Sequence, residues 1–160
     1  MVNVSINVNG EVRSGDVEPR LLLVDFIREV AKLRGTHRGC DTGHCGACTV
    51  LLNGLPVKSC QVLAVQADGC DVLTVEGLEK DGKLSLEQEA FRDNFAVQCG
   101  YCTPGMLMMT HYLIRKHPQL TREQIRRALH GNYCTCSGYA QIVDAVEEAH
   151  RKYWEGRRKG

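Results

Sequence analysis

The chain has 160 residues, 43% of them hydrophobic, enough to bury a core as one domain or as two small ones sharing an interface, and two small domains are expected. Lys and Arg number 20 against 19 Asp and Glu, and a formal charge of +1 gives no electrostatic footing for nucleic acid or an anionic membrane. No apolar run is long enough to span a bilayer, and Met1 to Gly10 lacks a signal peptide's hydrophobic block, so the chain is expected in the cytosol.

Reducing compartments keep thiols free, and nine cysteines, an odd number, fit metal better than a disulfide framework. Val2, Val4, Ile6 and Val8 alternate with polar residues up to Asn9-Gly10, the strongest short hairpin signal, and a strand over 11–17 should pair with the first. Pro19 precedes Leu21, Leu22, Val24, Ile27, Val30 and Ala31, whose three- and four-residue spacing predicts a helix on that sheet, ended by Gly35. A glycine-rich loop over 39–48 leads to a strand at 49–52, the turn Asn53-Gly54 and a partner strand near 56–59, and Val72, Thr74 and Val75 predict a closing strand. This half is a small mixed sheet crossed by one helix, compatible with the β-grasp of plant-type ferredoxins.

After Glu76-Gly77 the pattern turns helical. Ser85 with Gln88 and Thr121 with Gln124 are capping boxes, and helices are predicted over 86–94, 104–116, 122–130 and 139–153. Short loops between them suggest a bundle. The expected fold class is α+β: an N-terminal β-grasp ferredoxin-like domain, 1–77, followed by a C-terminal four-helix bundle, 78–160. The basic end, Arg157, Arg158 and Lys159, is a solvated tail.

Cys40, Cys45 and Cys48 have the spacing C-x4-C-x2-C, and Cys60 follows after the strand pair, the plant-type [2Fe-2S] pattern. Four thiolates around two ferric ions and two sulfides carry a formal charge of about −2, so a buried cluster needs many N–H donors aimed at sulfur. Gly39, Gly43 and Gly46 let the loop wrap closely and turn its amides inward. Zinc is the competing occupant, but its motifs pair two tight knuckles, whereas here one loop gives three ligands. A Rieske site needs two histidine ligands; His37 and His44 flank the loop, but four cysteines already complete the ligation.

Cys99-x2-Cys102 and Cys134-x-Cys136 form a second quartet, each pair just ahead of a predicted helix: Thr103-Pro104 opens one, and Ser137-Gly138 leads into Tyr139. Two positive helix ends can then face one anionic centre. A C-x-C pair is awkward for tetrahedral zinc but workable for thiolates on one iron. A thioredoxin-like disulfide between Cys99 and Cys102 is the alternative, although no βαβ pattern surrounds it. Cys70 belongs to neither set and is most simply a packed thiol.

The runs Gly39-Cys-Asp-Thr-Gly-His-Cys-Gly-Ala-Cys-Thr-Val50, Gln98-Cys-Gly-Tyr-Cys-Thr-Pro-Gly-Met106 and Gly131-Asn-Tyr-Cys-Thr-Cys-Ser-Gly-Tyr139 resemble the small iron-sulfur subunit of the molybdenum hydroxylases, the xanthine oxidase family, over nearly the whole chain. Glu18-Pro-Arg20, Phe26-Ile-Arg-Glu29, His44 and Lys58-Ser-Cys60 bring it nearest to aerobic carbon monoxide dehydrogenase small subunits and relatives. The resemblance implies a large partner carrying molybdopterin, as the cytosine dinucleotide in many bacteria, and a medium partner carrying FAD, assembled as a dimer of heterotrimers. It implies that Cys99, Cys102, Cys134 and Cys136 hold the cluster nearer molybdenum, and Cys40, Cys45, Cys48 and Cys60 the one nearer flavin. Gln98 and the Cys136 sulfur would then contact the pterin. The family commonly has Arg between the last two cysteines and Thr after them; this chain has Thr135 and Ser137.

The expected function is electron transfer within a multisubunit molybdenum oxidoreductase. No nucleophile–base pair and no nucleotide-binding glycine motif are visible in the chain, so bond chemistry belongs to partner chains. A free-standing two-cluster ferredoxin and a zinc-stabilised interaction module are the alternatives. The expected location is cytoplasmic, with a peripheral position at the inner membrane face only through the complex.

Overall fold

A computed structural model describes residues 1–136 and 138–158. Asn9 and Gly10, both at positive φ (56° and 88°), form the tight turn that joins β1 (Val2–Val8) to β2 (Glu11–Val17), pairing Val8 with Glu11 and Val2 with Val17. The alternation buries Val4, Ile6 and Val8 on one face.

The next segment departs from the expected regular helix. One short turn, α1 (Leu23–Asp25), runs directly into a π-helical stretch, Phe26–Val30. There the Ala31 amide donates to the Phe26 carbonyl at 2.9 Å and the Leu33 amide to that of Ile27 at 3.0 Å. The wider turn brings Leu23, Phe26, Ile27 and Ala31 together onto the sheet. Lys32, at φ 62°, ends it, not Gly35. Gly35 instead lets the backbone approach a later segment: its amide donates to Glu76 Oε1 at 2.7 Å, and a Cβ there would lie 2.6 Å from Val75 Cγ1.

β3 (Thr49–Leu52) and β4 (Leu55–Lys58) form the second hairpin, and β5 (Asp71–Leu73) inserts between the two hairpins, parallel to β1 and antiparallel to β3. The order β2-β1-β5-β3-β4 is the mixed sheet expected of a β-grasp. The closing strand stops short of Thr74 and Val75, because the Asn9 side chain takes up the Thr74 amide at 2.8 Å in place of a ladder bond, and Val75–Leu78 turns as a 3-10 helix.

Ser85 and Gln88 cap α2 (Leu86–Asp93) reciprocally, and Thr121 and Gln124 do the same for α4 (Arg122–Ala128). Between them, α3 (Thr103–Lys116) carries Pro104 in its first turn. α4 tightens into a 3-10 turn, Leu129–Gly131, where a continued α-helix to His130 was expected. α5 (Tyr139–Arg158) outruns its expected end at Tyr153, sustained by the Arg151–Glu155 pair and by Arg157 over the Tyr153 ring. The expected lead-in residue Ser137 lies outside the described residues, as does Lys159. No described helix is long and apolar enough to cross a membrane.

Two cores share one wall. Val50 of β3 faces the sheet core with Ile6, Phe26 and Val72, while its neighbour Leu51 faces the helical core of Phe91, Met106, Ile114, Ile125 and Ile142. Period-two alternation therefore lets one strand serve both halves. α2 is tied to α3 by the fully buried Glu87, whose Oε1 meets His111 Nδ1 and, at 3.2 Å, Arg115. Burial opposes ionisation of Glu87, but these partners outweigh it and hold its pKa below the usual carboxylate range.

Candidate metal centres

The loop before β3 carries three of the first four cysteines, and its left-handed residues Asp41, Gly43 and Gly46 (φ 57°, 75° and 71°) curl it so that amides face sulfur. Cys40 Sγ accepts from the amides of Cys45 at 3.3 Å and Thr42 at 3.5 Å. These donors, Cys45 first, pull the Cys40 thiol down to about 6. Burial raises Cys45. Cys48 and Cys60 are both buried beside Val24, and burial together with the neighbouring Cys60 thiol pushes Cys48 up to about 11. Gln61 bridges the pairs, donating from Nε2 to Asp41 O at 3.0 Å and to Cys60 Sγ at 3.4 Å. The thiols thus stand as Cys40 with Cys45 and Cys48 with Cys60.

In the second set, Cys102 is the N-cap of α3, Cys99 lies exposed ahead of it, and Cys134 and Cys136 lie in the turn before α5. Burial, then the adjoining thiols of Cys134 and Cys99, push Cys102 up to about 12. The Cys99 amide donates to the Cys136 sulfur and lowers that thiol. Cys102 therefore adjoins Cys134 and Cys99, and Cys136 adjoins Cys99 and Cys134, so the four thiols form one continuous set. The Cys134 amide donates to the Tyr139 hydroxyl at 2.8 Å, which fixes the turn against the start of α5. A Cβ on Gly138 would lie 3.6 Å from Cys134 Sγ and 3.7 Å from Gln98 Nε2, so the exposed Gln98 side chain sits at the rim of this set.

All nine cysteines are free, including Cys99 and Cys102. Cys70 stands apart and partly buried, its amide bonded to Ala67 O. Among the described residues no three His, Cys, Asp or Glu side chains close on one point as around a single ion. Buried thiols pressed together stay neutral unless a cationic core compensates, and amides aimed at sulfur suit an anionic cluster. The residues present fit [2Fe-2S] centres on donor chemistry and on the room the glycines leave: a Cβ on Gly39 would stand 2.9 Å from Cys45 Sγ.

The two sets meet across a seam that local sequence patterns do not announce. The Tyr133 amide, one residue before Cys134, donates to the Cys45 carbonyl at 2.7 Å. Buried Asn132 donates to Gly46 O at 3.0 Å and to Thr49 Oγ1 at 3.2 Å, and the Lys58 ammonium reaches Gly131 O. Tyr101 donates its hydroxyl to Arg38 O at 2.8 Å and stacks on His37, centroids 4.7 Å apart. His37 Nδ1 donates to Tyr101 O at 2.8 Å, so that nitrogen is the protonated one. A cleft of about 240 Å³ opens between the sets, lined by Cys45, Cys99, Cys102, Cys134, Tyr101 and Tyr133.

The family profile described as a 2Fe-2S iron-sulfur cluster binding domain matches residues 6–99, and that of a [2Fe-2S] binding domain matches 74–147. The nicotinate dehydrogenase small FeS subunit of Eubacterium barkeri is 47% identical over 92% of this chain and 94% of its own. The structure of quinoline 2-oxidoreductase from Pseudomonas putida 86 superposes with a TM-score of 0.91 at 43% identity, covering 97% of both chains. The aldehyde oxidoreductase of Desulfovibrio desulfuricans ATCC 27774 matches 96% of this chain at 36% identity and a TM-score of 0.90, but only 17% of its own longer chain.

Proposed function

Because this chain belongs to the small [2Fe-2S] subunits of the molybdenum hydroxylases, the xanthine oxidase family, we propose that its eight paired cysteines hold two clusters linking a molybdopterin on a large partner to FAD on a medium one. Each cluster, when bound, takes up and returns one electron. Cys40, Cys45, Cys48 and Cys60 hold the flavin-side cluster in the domain 1–77; Cys99, Cys102, Cys134 and Cys136 hold the molybdenum-side cluster in the domain 78–160. The observation that carries this reading is the Tyr133-to-Cys45 hydrogen bond, which joins the ligand loops directly.

The chain's own residues position and insulate. Amides of Thr42 and Cys45 hold charge on Cys40, and Asn132 and Lys58 keep the loops in register. Gln98 and the Cys136 sulfur contact the pterin, in keeping with the exposure of Gln98 beside Cys134. The substrate pocket belongs to the large partner, and an N-heterocycle is proposed from the nicotinate and quinoline enzymes to which this chain is similar. The complex is proposed to be a cytoplasmic dimer of heterotrimers.

Anaerobic addition of substrate to the purified complex tests the reading. Two [2Fe-2S] signals should develop in the EPR spectrum, and the chain should copurify with molybdenum- and flavin-bearing subunits. Elution of the chain alone, with clusters that substrate does not reduce, would make it a free carrier. Thr135 is exposed beside the second set, so Thr135→Arg adds a cation near an anionic centre and favours its reduced form. An exposed pair is worth roughly 0.2–1 kcal/mol, equivalent to about 10–40 mV upward in a one-electron titration; a downward shift would contradict the assignment of that centre.

A further inference from the structure

Phe95 is 82% exposed and adopts a left-handed backbone conformation, φ 53°, where an aromatic L-residue is strained and glycine is the usual occupant. It follows α2 at the position where the chain reverses: the Phe95 amide bonds to Arg92 O at 3.2 Å and the Ala96 amide to Phe91 O at 2.9 Å. Phe91 and Ala96 on either side are buried, so the turn is pinned by the helical core and cannot relax. The chain thus holds a large ring outward on strained backbone, and neither the strain nor the exposure stabilises it. Such outliers collect where a function requires them.

The surroundings indicate what that function is. Residues 94–101 carry no charged side chain, as at the centre of an interface. Val97, Tyr101, Tyr133 and Tyr139 are also exposed, and Tyr133 and Tyr139 line one groove. The same uncharged segment carries the exposed Gln98 and Cys99.

We propose that Phe95 is the anchor by which this chain docks on its large, molybdopterin-bearing partner, seating its ring in an apolar pocket of that subunit. The inference rests on the function proposed above, because it needs the pterin to approach Gln98, three residues away. The longer aldehyde oxidoreductase chain, of which this fold is 17%, has the remaining polypeptide available to cover such a face. A ring already held out by rigid backbone loses little freedom on docking, which is what a binding hot spot requires.

The test is the assembled complex carrying Phe95→Gly, with Phe95→Asn as a second variant that tolerates the same backbone. The full chain should keep its iron content and a thermal midpoint equal to or above wild type, because both residues accept positive φ. Its dissociation from the large subunit should accelerate about tenfold or more, a loss of at least 1.4 kcal/mol. Wild-type dissociation rates for both variants would overturn the anchor while leaving the electron-transfer reading intact. Loss of self-association of the small chain, with partner binding unchanged, would assign Phe95 to a second copy and also overturn it. Failure of the wild-type chain to associate with any large subunit would remove both.

Discussion

Gly105→Ala is expected to lower the thermal midpoint by about 6–12 °C, although alanine is the better helix former. In an isolated helix the exchange is worth about 1 kcal/mol in alanine's favour. Gly105 lies in the first turns of α3, however, and a Cβ there would stand 2.1 Å from the carbonyl oxygen of Gly46. That neighbour is backbone in the cluster loop, so no rotamer change relieves the contact. Gly46 cannot retreat, since its φ is 71° and its own Cβ position is 2.3 Å from Gly131 O. Overpacking of this kind costs about 3 kcal/mol or more, of a total stability of roughly 5–15 kcal/mol, and each kcal/mol moves the midpoint about 2–4 °C at this length.

Gly156→Ala is the matched control. It sits in α5 with nothing within 4 Å of its Cβ position, so the same exchange should stabilise by up to about 1 kcal/mol. Thermal melts of the pair separate helix propensity from the seam. Magnetic coupling between the two reduced centres should weaken in Gly105→Ala and stay unchanged in Gly156→Ala.

Cys134→Ala should remove one centre and leave the other. Cys134 is buried, adjoins Cys102, and ends the segment whose Tyr133 amide is bonded to Cys45 O. Loss of one of four thiolates leaves one iron with a single protein ligand, and metal affinity is folding free energy for the turn that holds it. Iron should fall to about half, one EPR signal should vanish, and turnover of the complex should drop by more than the 10–100-fold typical of outer-shell changes. Cys70→Ala should keep both signals, because Cys70 stands apart from both sets. Retention of both signals in Cys134→Ala, or loss of one in Cys70→Ala, would contradict the assignment of quartets.

What could be read from sequence was local. Asn9-Gly10, the capping boxes at Ser85 and Thr121, and the cysteine spacings are decided within a few residues, and the structure places the hairpin and the two capped helices within a residue or two of expectation. The π-helical turn at Phe26–Val30 was hidden because apolar residues at mixed spacings fit both a 3.6-residue helix and a wider one once the sheet supplies the packing. A glycine after an apolar helix pattern looks like a terminator, whereas the role of Gly35 depends on Glu76, distant in sequence. The seam was invisible for the same reason: Asn132 reaches Gly46 and Thr49 across more than eighty residues. Gly105 gave no signal at all, since a glycine inside a helix pattern does not reveal the carbonyl it makes room for.

Total iron and acid-labile sulfide in anaerobically isolated protein, counted with the EPR spectrum after reduction, bear most directly on the paired quartets. About four irons and four sulfides per chain, with two distinct spin-half signals, are predicted. Zinc in place of iron, with no labile sulfide and no signal, would contradict the account.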